Sequence, residues 1–417
     1  MSADFFRKNL SCRICASINL SPVVDLGAQA LGSIFPKAGE PDPPKIPLEL
    51  VRCENCALVQ LAHTVVADAM YTYGYGYRSG LTATMREHLA GLADWVRARC
   101  ALEAGDNVLD IGCNDGTLLK AYGADAGLRR FGIDAVAGKF RAEYPPDIRL
   151  HEGYFDAETY AAVLGDARCK AITSISMFYD LPAPNEFVAA IKKALAPDGI
   201  WVLEQSYLAT MLEANSYDTV CHEHLEYYAL RQIEHMAAAN GLRVFDAELN
   251  DCNGGSIRLA VCHQDGPQAL NEAAAGPIKR REAALGLDTA APYDAFAERI
   301  AQSRAELTGF IDRERGAGKT FYLYGASTKG NTLLQYCGLD HTRIVAAAER
   351  NPEKFGCRTP GSNIPIVSEA EMRAAKPDYL LVLPWHFRDE FVKREADFLN
   401  SGGKLVFPLP RFEIVSA

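Results

Sequence analysis

Residues 108–119 of this chain read Val108-Leu109-Asp110-Ile111-Gly112-Cys113-Asn114-Asp115-Gly116-Thr117-Leu118-Leu119. The apolar start predicts a buried strand, the two glycines predict a tight turn, and the remaining residues begin a helix. In an open α/β sheet, ligands bind in the crevice outside such strand ends. Further along, Phe131-Gly132-Ile133-Asp134 predicts a second strand, which ends in a carboxylate placed to accept two ribose hydroxyls.

The turn favours a cofactor that carries no phosphate. Dinucleotide folds prefer G-x-G-x-x-G, in which helix amides receive a pyrophosphate, whereas here Asp115 would repel one. S-adenosylmethionine (SAM) fits, because its ribose suits carboxylates and its sulfonium is cationic. The alternative is an unrelated βα turn. The predicted cofactor-binding residues are Asp110, Gly112, Asn114, Asp115, Gly116, Asp134, Phe155, Ser176 and Met177.

Composition limits the class of protein. The 417 residues suffice for two or three domains, and 48% hydrophobic with 23% charged residues is an ordinary soluble balance. The absence of a long apolar run or a signal-peptide pattern predicts a cytoplasmic protein with no membrane partner. A net charge of −10 argues against nucleic acid as a partner. The oligomeric state stays open, a monomer included.

Four of the 12 cysteines form two C-x-x-C pairs. Two such turns can complete a tetrahedral zinc site, whereas a redox pair or four unconnected thiols are the alternatives. Four protein ligands leave no open position, so we predict a structural zinc and a unit that docks on the next domain. The spacer contains Gly27, Gly32 and a Pro-rich stretch, which predicts an inserted loop or hairpin. The predicted ligands are Cys12, Cys15, Cys53 and Cys56.

An aromatic segment follows at residues 70–80, with four tyrosines interleaved with glycines. It is either a packed loop or a segment whose phenols line a pocket. Next, strands and helices alternate, which predicts a mostly parallel, doubly wound sheet. Phe155 precedes a helix where such folds cover an adenine ring, and residues 176–180 follow a strand. The predicted elements are strands Asn107–Ile111, Arg130–Asp134, Ala171–Met177 and Gly199–Glu204, and helix Asn185–Leu195, closed by Pro197-Asp198-Gly199.

A second α/β unit is predicted after a helical connector at about 267–315. It opens with a strand and the turn Gly325-Ala326-Ser327-Thr328-Lys329-Gly330-Asn331, an anion site without the dinucleotide glycine pattern. This unit is predicted to be a smaller Rossmann-like domain. Its further predicted strands are Ile344–Ala348, Tyr379–Leu383 and Lys404–Phe407, and the predicted domains are 1–70, 71–265 and 266–417.

Two motifs between these units carry chemistry. His222-Glu223-His224 lacks the spacing of helical metal ligands, so it is either an acid/base group or a chance surface cluster. Asn253-Gly254-Gly255-Ser256-Ile257-Arg258 is either a contact for phosphate or sugar hydroxyls, or a glycine-rich hairpin with a surface arginine.

Taken together, these motifs resemble, in the same order, the sugar-nucleotide C-methyltransferases. The resemblance implies a zinc-binding domain, a SAM domain and a C-terminal domain that helps grip a nucleotide-linked sugar. It also implies proton abstraction beside the ketone of a keto-deoxysugar, after which the enolate attacks the SAM methyl group. In this chain, His224 matches the base, Glu223 its acidic neighbour, and Tyr75 or Tyr77 an active-site tyrosine.

This chain departs from the family pattern at two positions. Some members have a histidine where it reads Tyr179-Asp180, and a tyrosine where it has Cys221. A donor to the enolate would therefore come from Tyr179 or His222. The alternatives are O-methylation of a sugar or glycan and a non-catalytic SAM-binding zinc module. The predicted substrate-binding residues are Asn253, Ser256, Arg258, Ser327, Lys329 and Asn331.

Overall fold

The computed structural model of the chain describes residues 5–66, 70, 77–124 and 127–417. In its N-terminal unit, a long hairpin joins the two cysteine pairs. Of the two structures predicted for this spacer, a loop or a hairpin, the hairpin is present. Gly27 sits in a strand rather than in a loop, at a bulge where its φ is +78°. The strands are β1 (Phe6–Lys8), β2 (Leu20–Ala30), β3 (Lys45–Cys53), β4 (Val59–Leu61) and β5 (His63–Val65).

The central unit alternates strands with helices, which confirms the α/β prediction. Its helices are α1 (Ala83–Arg97), α2 (Thr117–Ala121), α3 (Ala157–Leu164), α4 (Pro184–Ala194), α5 (Leu208–Glu213) and α6 (Leu230–Ala239). Its strands are β6 (Asn107–Ile111), β7 (Arg129–Asp134), β8 (Ile148–Glu152), β9 (Cys169–Ile175), β10 (Leu195–Ser206), β12 (Leu242–Asn250) and β13 (Ser256–His263). Between α5 and α6 lies the short strand β11 (Glu226–Tyr227), which belongs to another sheet.

The seven-stranded sheet has the order β12-β13-β10-β9-β6-β7-β8. Strands β6 to β10 run parallel, so their carboxyl ends share one edge, whereas β13 is antiparallel to both of its neighbours. Along β10, Trp201 and Leu203 enter one hydrophobic cluster, and Ile200 and Val202 enter another. Both faces of the sheet are therefore buried, as the apolar strands of a parallel sheet require.

Three details of this sheet differ from the prediction. Strand β8, an edge strand of five residues, was not predicted, although its apolar and polar residues alternate as in a half-buried strand. Strand β10 begins at Leu195, so Pro197-Asp198-Gly199 lies at an irregularity within the strand instead of closing a helix. Strand β9 ends at Ile175, because Ser176 adopts a φ of +54° and leaves the extended conformation.

The C-terminal part begins with α7 (Glu272–Leu285) and α8 (Ala291–Gly316) in the predicted connector. A six-stranded sheet of order β16-β15-β14-β17-β18-β19 follows, parallel apart from β19. The strand predicted from Ile344 starts later, because the Ile344 amide closes a turn on Asp340 O. The strands are β14 (Phe321–Tyr324), β15 (Ala347–Glu349), β16 (Ile366–Ser368), β17 (Tyr379–Val382), β18 (Lys404–Phe407) and β19 (Glu413–Val415). The helices are α9 (Thr328–Cys337), α10 (Glu369–Ala375), α11 (Arg388–Arg394) and α12 (Ala396–Asn400).

The N-terminal unit contacts both other units. Strand β11 of the central segment pairs with β4 and completes a four-stranded sheet of order β11-β4-β3-β2. On the other side, Gln335 of α9 exchanges two hydrogen bonds with the backbone of Ala30. Both larger units therefore pack against the N-terminal unit. Among the described helices, none combines the length and apolar character needed to cross a lipid bilayer.

Candidate active site

The four predicted zinc ligands converge. The Sγ atoms of Cys12 and Cys56 are 3.5 Å apart, as are those of Cys15 and Cys53, and all four lie within 4.8 Å of one another. Zinc–sulfur bonds of about 2.3 Å in a tetrahedron require sulfur separations of about 3.8 Å. The thiols therefore fit a zinc ion and enclose it completely, as in structural sites.

A cavity of about 780 Å³ opens at the carboxyl ends of the parallel strands of the central sheet. This is the edge at which an open α/β sheet binds ligands. Its lining combines apolar residues, among them Leu181, Phe187 and Ala190, with polar and acidic groups. The predicted cofactor residues that line it are Asp110, Gly112, Asn114, Asp134, Phe155, Ser176 and Met177.

The glycine turn brings the backbone close to this cavity. Gly112 has a φ of +75°, and a Cβ there would lie 3.0 Å from Met177 Cγ. The Asp134 carboxylate accepts the Asn114 amide on Oδ2 at 2.9 Å and the Val136 amide on Oδ1 at 2.7 Å. Each oxygen keeps a further lone pair, so the carboxylate is oriented and can still accept ribose hydroxyls.

Asp110 is buried beneath the turn, and its Oδ1 accepts a hydrogen bond from Thr173 Oγ1 at 2.6 Å. Burial raises the pKa of Asp110 to about 7, against the effect of that hydrogen bond. A cationic ligand in the cavity would favour the ionised carboxylate. The pair of acids at the ends of β6 and β7 thus suits a positively charged, ribose-bearing cofactor.

Asp115 and Gly116 have a different role from the predicted one, because neither lines the cavity. The Asp115 carboxylate accepts hydrogen bonds from the Gly80 amide at 2.9 Å and from Thr117 Oγ1 at 2.6 Å. A Cβ on Gly116 would lie 2.6 Å from the Tyr144 ring. The left-handed backbone at Asn114, with a φ of +49°, turns the chain away from the cavity after this residue. Asp115 therefore anchors the segment around Gly80 instead of facing a cofactor.

Replacing Asp134 with alanine is expected to weaken SAM binding about 10- to 100-fold, because buried ribose hydroxyls lose a charged acceptor. Isothermal titration calorimetry measures the change. Asp166, which is exposed, provides the matched alanine control. Unchanged SAM affinity in the Asp134 variant would contradict the ribose assignment.

The three residues of the His-Glu-His segment face different surroundings. His222 Nε2 lies 3.1 Å from Ile46 O on β3, so this ring contacts the N-terminal unit. His224 Nδ1 lies 2.8 Å from Thr219 O, which can only accept a hydrogen bond. Nδ1 therefore carries the proton, and Nε2 has the available lone pair. Burial, followed by the charge of Lys329, lowers the pKa of His224 to about 4.

Several polar groups near His224 lie at the boundary with the C-terminal unit. The Tyr179 ring packs edge-on against His224, with centroids 4.3 Å apart. Buried Glu223 lies beside the Cys221 thiol, whose pKa is raised by burial and also by the charge of Glu223 and a hydrogen bond to it. Asp218 accepts Trp385 Nε1 on Oδ2, whereas its buried Oδ1 has no such partner among the described residues.

Two of the six predicted substrate residues converge on this boundary. Lys329, at the start of α9, donates to Asn253 O at 3.1 Å, and its charge acts on both His224 and Asp218. This contact brings the loop before β13 to the C-terminal unit. The loop also carries Cys252, which lines the cofactor cavity, so the two sites are neighbours.

The other four predicted substrate residues have internal partners. Arg258 is buried rather than on the surface, and its Nε lies 2.7 Å from Glu204 Oε2. Ser256 donates to Cys252 O, Ser327 caps α9, and fully buried Asn331 donates to Gly32 O. These contacts hold the loops and units together. Among the predicted tyrosines, Tyr77 lines the cavity and Tyr75 lies outside the described residues.

One group in the cavity was missed by the sequence analysis. His88 on α1, Glu204 on β10 and Cys252 line the cavity and lie close to one another. They come from three elements that only the fold brings together, so no local spacing could reveal them.

Comparison with known proteins covers nearly the whole chain. A zinc binding domain model matches residues 12–71, a methyltransferase domain model residues 85–247, and a C-methyltransferase C-terminal domain model residues 251–410. The C-methyltransferase NovU of Streptomyces niveus is 29% identical over 420 residues, which span 99% of both chains.

Solved methyltransferase structures match part of the chain. CalS10, an amino pentose methyltransferase of Micromonospora echinaspora, shares 19% identity over 42% of this chain and 90% of its own, with a TM-score of 0.32. CcbJ of Streptomyces caelestis shares 15% over 42% and 89%, with a TM-score of 0.33.

The cavity and the matched methyltransferase domain define a SAM-dependent methyltransferase. The four-cysteine centre provides its structural zinc site. The three models match in this order along the chain, and together with the similarity to NovU they support a zinc-containing C-methyltransferase.

Proposed function

We propose that this C-methyltransferase acts on a nucleotide-linked keto-deoxysugar, at a carbon beside the ketone. The observation that carries the proposal is His224, a half-buried neutral imidazole whose Nε2 can accept a proton at the boundary between the cofactor unit and the C-terminal unit. Methyl transfer to carbon needs such a base, whereas binding SAM alone does not. The resemblance to sugar-nucleotide C-methyltransferases supplies the class of acceptor.

In this mechanism, His224 Nε2 takes the proton from the carbon beside the carbonyl group. The C–H electron pair becomes that of the enolate carbon. A SAM molecule held beside Asp134 would supply the methyl group to this carbon, and its sulfur would keep the electron pair of the broken S–CH3 bond. The negative charge of Glu223 stabilises the imidazolium, because it opposes the depression of the His224 pKa. The carbonyl oxygen gains negative charge in the same step, and the hydroxyl of Tyr179 is our candidate donor, since His222 faces Ile46.

The C-terminal unit would hold the nucleotide end of the acceptor. Lys329 is a cation in the first turn of the ten-residue helix α9, where backbone amides and the helix dipole favour anions. Its ammonium lies at the loop that joins this unit to the cofactor cavity. A diphosphate near Lys329 would place the attached sugar toward His224.

The test is incubation with SAM and a panel of dTDP-, GDP- and CDP-linked ketohexoses, read by mass spectrometry. A gain of about 14 daltons, the mass of the methylene that methylation adds, supports the proposal when it is accompanied by solvent deuterium exchange at the adjacent carbon without SAM. Methylation of a hydroxyl with no exchange would support the O-methyltransferase alternative. No gain with any ketosugar contradicts the proposed acceptor.

Replacing Lys329 with methionine is expected to raise the pKa of His224, because removing a nearby positive charge favours the protonated imidazole. The acid limb of kcat/KM against pH therefore moves toward neutral pH, and the KM for the acceptor rises. Exposed Lys393 provides the matched methionine control. A rise in KM with an unshifted acid limb would show that Lys329 acts on the acceptor alone.

A further inference from the structure

The lining of the cofactor cavity includes three neighbouring side chains with metal-binding atoms. His88 projects from α1, Glu204 from the end of β10, and Cys252 from the loop before β13. One nitrogen, one oxygen and one sulfur atom from these residues lie within 4.8 Å of one another. The cluster is separate from the four cysteines of the N-terminal unit.

The carboxylate of this cluster is held in a fixed orientation. Glu204 Oε2 accepts hydrogen bonds from Arg258 Nε at 2.7 Å and from Asn250 Nδ2 at 2.9 Å. Its other oxygen, Oε1, is 2.5 Å from His88 Nε2. Outer partners of this kind commonly orient metal-binding carboxylates. Buried Glu204 thus presents one oxygen to the histidine and the cavity.

The ligand set differs from that of the structural zinc centre. Imidazole nitrogen, carboxylate oxygen and thiolate sulfur are the three donor types that zinc accepts in proteins. Three protein ligands leave one tetrahedral position, and all three residues line a cavity. Sites with an open position are typical of zinc that binds water or a substrate, whereas four-cysteine sites are closed.

We propose that His88, Glu204 and Cys252 bind a second divalent metal ion of the zinc type, with its open position toward the cofactor cavity. Binding of the ion displaces any protons that its ligand atoms carry. If the proposed function is right, the ion would polarise the carbonyl oxygen of the acceptor and stabilise the enolate.

Protons compete with the metal at this site. Cys252 and Glu204 together raise the pKa of His88 to about 10. The ionisable groups that face the imidazole are thus Glu204 and Cys252, with Arg258 on the far side of Glu204. Imidazole and thiol groups bind metals in their deprotonated forms, so metal loading is tested above neutral pH.

The test measures zinc by atomic emission after the full-length protein is equilibrated with zinc at pH 8 and passed into metal-free buffer. The wild type is expected to retain two ions per chain, and His88→Ala and Cys252→Ala one each. That remaining ion, held by the four cysteines, reports that each variant is folded. Exposed His341 provides a matched alanine control, which should retain two.

Cobalt gives a second measurement. When the four-cysteine site already holds zinc, added Co²⁺ should produce a thiolate-to-cobalt absorption band in the wild type that is absent in Cys252→Ala. One zinc per chain in the wild type, or two in both variants, overturns the proposal. Neither measurement uses an acceptor, so its result is independent of whether the ketosugar proposal holds.

Discussion

Replacing His224 with alanine is expected to lower kcat by about 10²- to 10⁴-fold, the range typical of a lost general base. The structure gives the reason: Nδ1 is committed to Thr219 O, so Nε2 is the atom that can take a proton. The low pKa of this imidazole keeps it neutral at the pH of an assay. Single-turnover methylation of the ketosugar found in the panel measures the loss.

SAM affinity separates a chemical role of His224 from a structural one. The residue is not among those that line the cofactor cavity, so calorimetry should give a Kd within about two-fold of the wild type, less than the effect of one hydrogen bond. Exposed His235 provides the matched alanine variant, which should change neither quantity. Equal losses of affinity and turnover would assign His224 to the support of the fold.

Removal of the structural zinc is expected to abolish turnover, although no cysteine of the centre lies in the cofactor cavity. Structural zinc contributes about 10 kcal/mol or more to the folding of small units. Arg13, between two of the ligands, donates to Leu225 O and pairs with Glu226. Gln232 of α6 donates to Cys56 O on the other side. Loss of the metal therefore releases the segment that positions His224.

Chelation followed by turnover and binding assays tests this connection. Turnover should disappear and return with added zinc, whereas the central sheet should still bind S-adenosylhomocysteine. Arg13→Met is the matched variant, because it breaks the contact with Leu225 and Glu226 but keeps four cysteines. It should retain zinc and lose most of its turnover. Full activity of zinc-free protein would refute the connection.

Local patterns in the sequence predicted the parts of the site that lie close together along the chain. The strand with its glycine turn, the acid on β7 and the cysteine pairs can each be recognised from local sequence. The structure places the glycine turn and the acid in one cavity, and the four cysteines in a separate cluster. The orientation of single side chains was less predictable. Asp115 follows a left-handed residue and turns away from the cavity, and no composition or spacing rule contains that angle.

Long-range pairing accounts for the remaining differences. Arg258 was predicted to contact the substrate, with a surface arginine in a glycine-rich hairpin as the alternative, but its strand lies beside β10, where it forms an ion pair with Glu204. The cluster of His88, Glu204 and Cys252 has the same origin, because strand order brings the three together. Such contacts depend on the topology of the whole sheet.

The pairing of β11 with β4 constrains the order in which the chain can mature on the ribosome. Arg13 and the Leu225 carbonyl that it contacts are 212 residues apart in sequence. The four cysteines can bind zinc once both C-x-x-C pairs have emerged, but their sheet lacks its edge strand β11 until that part of the central unit has been synthesised. Because chains are made from the N-terminus, the N-terminal sheet begins to form first but is completed only after β11 has emerged.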